Sequence, residues 1–383
     1  MGMNVPTQDE LLDRARALVP VLADRAQACE DLRRVPDETV EDFRAAGFYD
    51  ICKPSAYGGY QLSPEVLFRV SIELARGCPS SAWAVCLIGI HNWEPGLMDA
   101  AASEALWGDD RDARFSSSYA PFGKLRPVEG GYRLSGRWEW SSGSDHCSWV
   151  MLGAMLPPQD GPPQQIALLV PRRDYEIVDT WHVAGLKGTG SNDIVVDDAF
   201  VPEHLTHHIN APSLNPFDDD IYLMPFSNVF GQCLCAVTQG IAEGALSSYR
   251  NYLAERTHKY DGAAMSGDPF QQRTLSEVTA AVQANRLRYH NIFRTLEGAV
   301  AEAKAAGQPG VPAAVQIAQM WETQVIAHSN ADLVTRLMRA SGGGAQRLGH
   351  PMQRYFRDIN SAVAHAYLNV DRGSLQFAEV SLR

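Results

Sequence analysis

From Gln8 to about Asp50 apolar residues recur three and four positions apart, in LLDRARALVPVLADRAQACEDLRRVPDETVEDFRAAGF, the spacing that gathers them on one face of a helix. Pro36 and Gly47 punctuate this tract. Beyond the turn Tyr57-Gly58-Gly59 a second helical tract runs through PEVLFRVSIELARG and SSAWAVCLIGIHNWEPGLMDAAASEALWG. It is small and apolar nearly all round, which suits the centre of a bundle. Near Arg111 the period shortens to alternation. GGYRLSGRWEWSSG, SWVMLGAML, QIALLVP and NDIVVDDAFVP read as short strands, separated by Gly, Pro and Asp clusters, as far as about His208. The polar stretch INAPSLNPFDDDIYLMPF follows as a connecting loop or flap. From about Asn228 the helical period returns over AVTQGIAEGALSSYRNYLAERT, TLSEVTAAVQANRLRYHNIFRTLEGAVAEAKAAG, AAVQIAQMWETQVIAHSNADLVTRLMRASGG and the stretch around RDINSAVAHAYLNV, four tracts that suffice for a bundle. The pattern predicts an α+β chain with an N-terminal helical domain over 1–110, a central β-domain over 111–225 and a C-terminal four-helix bundle over 226–383. Helix–β–helix order without βαβ alternation argues against a doubly wound nucleotide-binding sheet.

Composition narrows the classes. The 383 residues carry a net charge of −12, and no Lys/Arg cluster stands out, so a nucleic-acid or anionic-membrane partner is not expected. The first twenty residues have acidic groups early and no continuous apolar core, unlike a secretory leader, and no apolar run reaches the roughly 20 residues of a membrane span. A cytoplasmic protein is expected. Seven cysteines without CxxC spacing read as buried free thiols, with no metal site.

Together with the order of elements, AAGFYDICKPSAYGG, WHVAGLKGTGSNDIVVDDAFVP and QRYFRDINSAVAH resemble the acyl-CoA dehydrogenase superfamily over nearly the whole chain. Within it, HNWEPGLMD, FSSSYAPFG and WEWSSGSDHCSW resemble the two-component flavin-dependent hydroxylases, the branch of the p-hydroxyphenylacetate and secosteroid-phenol hydroxylase oxygenase components. An acyl-CoA dehydrogenase needs a carboxylate base, usually in a Tyr-Glu-Gly-Thr segment. Here the corresponding stretch reads NSAVAHAYLN, with His365 beside the place of that Glu, although some relatives carry the Glu on another helix.

The resemblance implies an oxygenase that uses reduced flavin (FADH2 or FMNH2) and O2, by way of a C4a-hydroperoxide, to hydroxylate a phenol, indole or polycyclic aromatic substrate. It places His91 and Ser117 at the substrate hydroxyl, Ser142 at flavin N5, and His365 beside the flavin as base or peroxide partner, since an imidazole titrates near neutrality. Asn360 stands where one relative has a second His. For the flavin it implies Trp140, Ser141 and Ser142 along the ring, Gly188, Thr189 and Ser191 in GLKGTGSND, Arg256 at a pyrophosphate-contacting helix end, and Gly343 in ASGGGAQ, a tract that reaches the flavin of a neighbouring subunit. A homotetramer follows from such sharing. GLKGTGSND is a Gly-rich turn but not a P-loop, and no GxGxxG sits between strand and helix, so a separate NAD(P)H flavin reductase is expected.

Other readings of the same residues stay open. His91 in an apolar helix is also what a satisfied core histidine looks like, single serines on strands are often polar edge residues, and the glycines of ASGGGAQ also fit a helix end. Asp145-His146 and His182 are further candidates, although an Asp-His pair in a turn is more often a local hydrogen bond. The rival functions are an acyl-CoA dehydrogenase or oxidase and a degenerate flavin-fold binding subunit.

Overall fold

The computed structural model describes residues 5–156, 164–209, 211–257 and 262–382. Residues 1–4, residues 157–163 between the second and third expected strands, Asn210 of the expected connecting loop, residues 258–261 and Arg383 lie outside the described residues. Thr7 opens the first helix with a capping box: its hydroxyl accepts the Glu10 N–H at 3.2 Å and the Glu10 carboxylate accepts the Thr7 N–H at 2.7 Å. Helix α1 spans Gln8–Leu32 and α2 spans Asp37–Ala45, divided at Pro36 as the sequence predicts. Pro occupies the first helical position of both α3 (Pro64–Ala75) and α4 (Pro79–His91), where its missing N–H costs nothing. A short α5 (Ala100–Trp107) is capped by Asp99. Every residue of α4 except Leu87 is buried, so this helix runs through the interior with no solvent face.

The strands are β1 (Phe115–Val128), β2 (Gly131–Ser141), β3 (Trp149–Met155), β4 (Gln165–Pro171), β5 (Glu176–Val178), β6 (Asn192–Pro202) and β7 (Thr206–His208). They form one sheet in the order β5-β6-β2-β1-β3-β4-β7, in which only β1 and β3 run parallel. The β1–β3 register shifts between Ser118 and Gly123. That irregularity follows directly on the serines the sequence singled out, and such shifts re-aim side chains at strand ends.

The C-terminal helices are α6 (Phe226–Glu255), α7 (Pro269–Ala305), α8 (Ala313–Ser341), α9 (Pro351–Ala362) and α10 (Val370–Ser381). The fourth tract expected from the sequence is therefore two short helices and not one long one. Its break has a side-chain cause: His365 Nδ1 accepts the Tyr367 N–H at 3.3 Å and opens a 3-10 turn, and Asn369 Oδ1 accepts the Arg372 N–H at 2.9 Å and opens α10. All seven cysteines are free and buried. Among the described residues no helix is long and apolar enough to cross a membrane, and no cluster of His, Cys, Asp and Glu could hold a metal ion.

Helix α6 is the hub of the helical part and lies against α3 at Gly240. A Cβ there would stand 2.3 Å from the Ile72 carbonyl oxygen and 2.6 Å from the Ala75 methyl. We expect Gly240→Ala to lower stability by about 1–3 kcal/mol through this overlap, outweighing the gain of up to about 1 kcal/mol in helix propensity. Chemical denaturation should show the loss, and an unchanged midpoint would mean that the α3–α6 contact yields freely.

Candidate active site

Helix α4 carries two ring side chains eight residues apart, Trp83 and His91, which helical geometry places on one flank. Each meets a different strand. His91 is 1% exposed, and its Nδ1 lies 3.0 Å from the Phe115 carbonyl oxygen. A carbonyl only accepts, so Nδ1 carries the hydrogen and Nε2 is left as the acceptor. Ser117 Oγ stands 2.8 Å from that Nε2 and must donate to it. Desolvation pushes His91 down to about 4, against the opposing pull of the Glu94 charge and the Phe115 carbonyl. The imidazole is thus a neutral acceptor at ordinary pH, and the Ser117 oxygen keeps its lone pairs for a ligand.

Trp83 starts a second chain of bonds. Its indole N–H donates to Ser142 Oγ at 3.2 Å, Ser142 and Ser191 hydroxyls are 2.7 Å apart, Ser191 and Thr189 hydroxyls 2.6 Å apart, and the Thr189 hydroxyl donates to the Leu186 carbonyl at 3.0 Å. Because the chain ends on a carbonyl, each hydroxyl has one donor role available: Thr189 to Leu186, Ser191 to Thr189, Ser142 to Ser191. Ser142 is left with a lone pair and no hydrogen to offer.

His365 completes the enclosure. Its ring lies 6.1 Å from the Trp83 ring and stacks at 5.9 Å on Tyr367. Nδ1 is engaged as an acceptor, so the neutral ring carries its hydrogen on Nε2 and offers a donor. Desolvation by the surrounding protein pushes its basicity down, although the residue keeps an exposed face. Of the two roles the resemblance implies for His365, base or peroxide partner, a resting N–H belongs to the second. The acceptor role falls to Ser117 and His91.

The structure sorts the remaining sequence candidates. Trp140 is 64% exposed and sits at φ 68°, an uncommon backbone state for a bulky residue that turns it outward beside Ser142. Ser141 points the other way, fully buried, with its hydroxyl donating to Ser116 at 2.9 Å. Gly188 is packed on α1, where a Cβ would meet Cys29 Sγ at 2.2 Å, so its need for glycine comes from helix packing. Arg256 donates to the Ser341 carbonyl at 2.8 Å and covers the Tyr252 ring, next to Gly342–Gly344. A side chain at Gly343 would meet open space. Among the described residues no hydrogen bond joins Arg256 or Gly343 to the Ser142 chain. His146 Nδ1 lies 3.8 Å from Asp37 and its Nε2 is buried without a partner, while His182 lies beside Asp179 and Arg33. Neither joins the cluster around α4.

Sequence reasoning did not single out a buried polar group next to His91. Glu94 is 0% exposed, with the Tyr119 hydroxyl donating to one carboxylate oxygen and His207 Nδ1 at 2.7 Å from the other. Tyr119 lies 6.2 Å from the His91 ring and packs edge-on against Phe226 and Phe230. Glu94 and Tyr119 lie within HNWEPGLMD and FSSSYAPFG, and a charged residue inside an apolar tract was the available signal.

Known proteins now enter. Residues 6–103 match the family model for the acyl-CoA dehydrogenase N-terminal domain, and residues 232–370 that for the acyl-CoA dehydrogenase C-terminal domain. The chain is 35% identical over 377 residues to a flavin-dependent monooxygenase, oxygenase subunit HsaA, of Rhodococcus jostii, covering 96% of each chain. It is 31% identical to an FADH2-dependent resorcinol hydroxylase, oxygenase component, of a Rhizobium species, covering 94% of this chain and 91% of that one. The crystal structure of 3-HSA hydroxylase from a Rhodococcus species superposes with a TM-score of 0.89 at 34% identity, over 98% of both chains.

The bonding of His91 makes a measurable claim. Its ring should titrate near 4 and not near the ordinary 6.5, and stay in the Nδ1–H tautomer above that. As pH falls below about 6.5 the unfolded chain takes up a proton that folded His91 refuses, so this group's contribution to stability is lost toward about 4. Nitrogen NMR of labelled histidine reads both state and tautomer. A midpoint near 6.5 for His91 would show that water reaches the ring.

Proposed function

The chain belongs to the acyl-CoA dehydrogenase superfamily, among the oxygenase components of flavin-dependent monooxygenases, and we propose that Ser142, Ser117, His91 and His365 are the groups with which it hydroxylates an aromatic substrate. Reduced flavin, when bound, supplies the electrons and the carbon that activates O2. The residues present fit such a group, and the observation that carries the reading is the committed hydrogen of Ser142. A reduced flavin carries a hydrogen on N5, which needs an acceptor, and Ser142 has only a lone pair left to offer. An oxidised flavin has no hydrogen there and gains less. Trp140 provides an exposed aromatic face beside it, with Thr189 and Ser191 holding Ser142 from behind.

At the other end of α4, Ser117 accepts the substrate hydroxyl and His91 holds the Ser117 proton in place. His365 offers its Nε2–H between the two ends, where a developing oxygen charge needs a donor. Phe226, Phe230 and Tyr119 supply aromatic edges for a flat ring. FADH2 and FMNH2 remain alternatives for the flavin, and a phenol, an indole or a polycyclic aromatic for the substrate.

The reductase is a separate protein, and reduced flavin reaches this chain by diffusion. We further read the assembly as a homotetramer in the cytoplasm, with Arg256 and the Gly342–Gly344 tract serving the flavin of a neighbouring subunit. Their separation from the Ser142 chain supports that reading. An acyl-CoA dehydrogenase activity lacks support, because the segment around His365 offers no carboxylate base.

The function is tested by supplying NADH, O2 and an unrelated flavin reductase and following phenols or indole to their hydroxylated products. Product should form only with both proteins present, and efficient NADH oxidation by this chain alone would refute the two-component reading. Ser142→Ala should release several-fold to about a hundred-fold more H2O2 per product, since losing a buried hydrogen bond costs roughly 1–3 kcal/mol. Unchanged coupling in that variant would take Ser142 away from the flavin.

A further inference from the structure

Asp358 lies inside α9, and its carboxyl is 1% exposed. Oδ1 accepts the Leu186 N–H at 2.6 Å, while Oδ2 is buried with no hydrogen-bond partner. A carboxyl in that condition costs free energy, because one oxygen has lost its water and gained nothing. Charge makes the cost larger. Burial pushes the group from the ordinary 3.8 up to about 7, Glu30 and the Cys78 thiol push the same way, and the Leu186 N–H and Arg357 oppose them. Between those values the folded protein holds a proton that the unfolded chain has released, so this group makes folding less favourable as pH rises toward 7. Stability therefore gives no reason for an acid at this position.

What the carboxyl grips does give one. Leu186 is in the left-handed region at φ 51°, which a branched residue occupies only when held there. Its neighbour Gly185 lies so flat on α9 that a Cβ would stand 2.2 Å from the Arg357 carbonyl oxygen. The Leu186 carbonyl, on the far side of the same residue, accepts from the Thr189 hydroxyl at 3.0 Å and from the Trp181 indole at 2.9 Å. It is the terminus that forces every hydroxyl in the chain back to Ser142 to point one way.

We propose that Asp358 is a positioning residue for the flavin end of the site: by holding the Leu186 N–H it fixes the carbonyl that orients Thr189, Ser191 and finally Ser142. The proposal rests on the reading of Ser142 as the acceptor facing the flavin. It ties α9, which leads within a few residues to His365, to the loop behind Ser142, so that the two sides of the site are set by one helix. Protonation of Asp358 replaces a charge-assisted bond with a weaker neutral one, and the alignment of Ser142 loosens as pH falls through about 7. The groups facing the carboxyl are Cys29 and Glu30 from α1, Cys78 ahead of α4, Leu186 from the loop, and Tyr355 and Arg357 from α9 itself. Glu30 is held by Arg354 and Arg357, at 3.2 and 2.8 Å.

The test compares Asp358→Ala, which removes the acceptor, with Asp358→Asn, which keeps an acceptor and removes the titration. In flavin-free protein the Leu186 amide should exchange with solvent roughly tenfold faster in Asp358→Ala, the equivalent of about one lost hydrogen bond, and near the wild-type rate in Asp358→Asn. With reductase and substrate present, Asp358→Ala should release several-fold more H2O2 per product. Asp358→Asn should restore most of the coupling but lose the inflection near 7 that wild type shows. Wild-type exchange and coupling in Asp358→Ala overturn the proposal, as does an inflection that survives in Asp358→Asn. Should Asp358→Ala not fold, the fate of that inflection in Asp358→Asn decides alone. Faster exchange with intact coupling also overturns it, and if Ser142→Ala couples normally as well, the fault lies with the reading of Ser142.

Discussion

The site depends on the rule that a polar hydrogen taken out of water must be given to a protein acceptor. At each end of α4 the fold supplies a carbonyl that can only accept, Phe115 for His91 and Leu186 for Thr189, and each carbonyl sets the direction of the groups before it. His91 must then accept from Ser117, and Ser142 must donate inward to Ser191. What remains toward the ligands is a pattern of lone pairs at Ser117 and Ser142 and one N–H at His365. Two backbone carbonyls thus write a donor and acceptor code that the side-chain types alone leave open.

The periodicity of the sequence was enough to reveal the large elements, because helices α1, α3, α6, α7 and α8 bury apolar residues at helical spacing and the strands alternate between turn signals. His91, Ser117 and Ser142 could be picked out by resemblance, and the structure puts them at the end of α4, on β1 and in the turn just after β2. The break after Ala362 was hidden, since His365 and Asn369 each open a new helical turn through their own side chains while the apolar pattern runs on. Gly188 was legible as part of a Gly-rich turn whose backbone can be approached closely, but its packing on Cys29 of a helix 159 residues away is a tertiary fact. Asp358 was hidden for the opposite reason: a carboxylate in sequence reads as surface, and only packing reveals that it has lost its water, whereas the apolar tract around Glu94 did carry a signal.

Glu94 has a different effect from Asp358. Both its oxygens are bonded, to Tyr119 and His207, so its desolvation is compensated where that of Asp358 is not. Its charge raises the basicity of His91 while burial lowers it, and burial wins. The pair with His207 also anchors β7, the edge strand, to the segment that follows α4. The neighbourhood of His91 and Ser117 is thereby fastened to both the sheet and the helices.

That arrangement bears on how this superfamily scaffold serves oxygen transfer. A carboxylate base beside the reacting atoms suits removal of a proton from carbon, where the charge leaves as the bond forms. A phenol gains negative charge as it gives up its proton, and a fixed carboxylate at about 4 Å would oppose this by about 4 kcal/mol at an effective dielectric of about 20. The stretch NSAVAHAYLN around His365 holds no such carboxylate. Glu94 stands behind Tyr119, with His207 against it, so its charge is partly balanced and kept a residue away from Ser117. Of His91, Ser117 and His365, each neutral, His365 alone keeps a hydrogen to donate. A site of this polarity favours an electron-rich oxygen on the substrate and disfavours a thioester enolate, which has no donor hydrogen for Ser117 to accept.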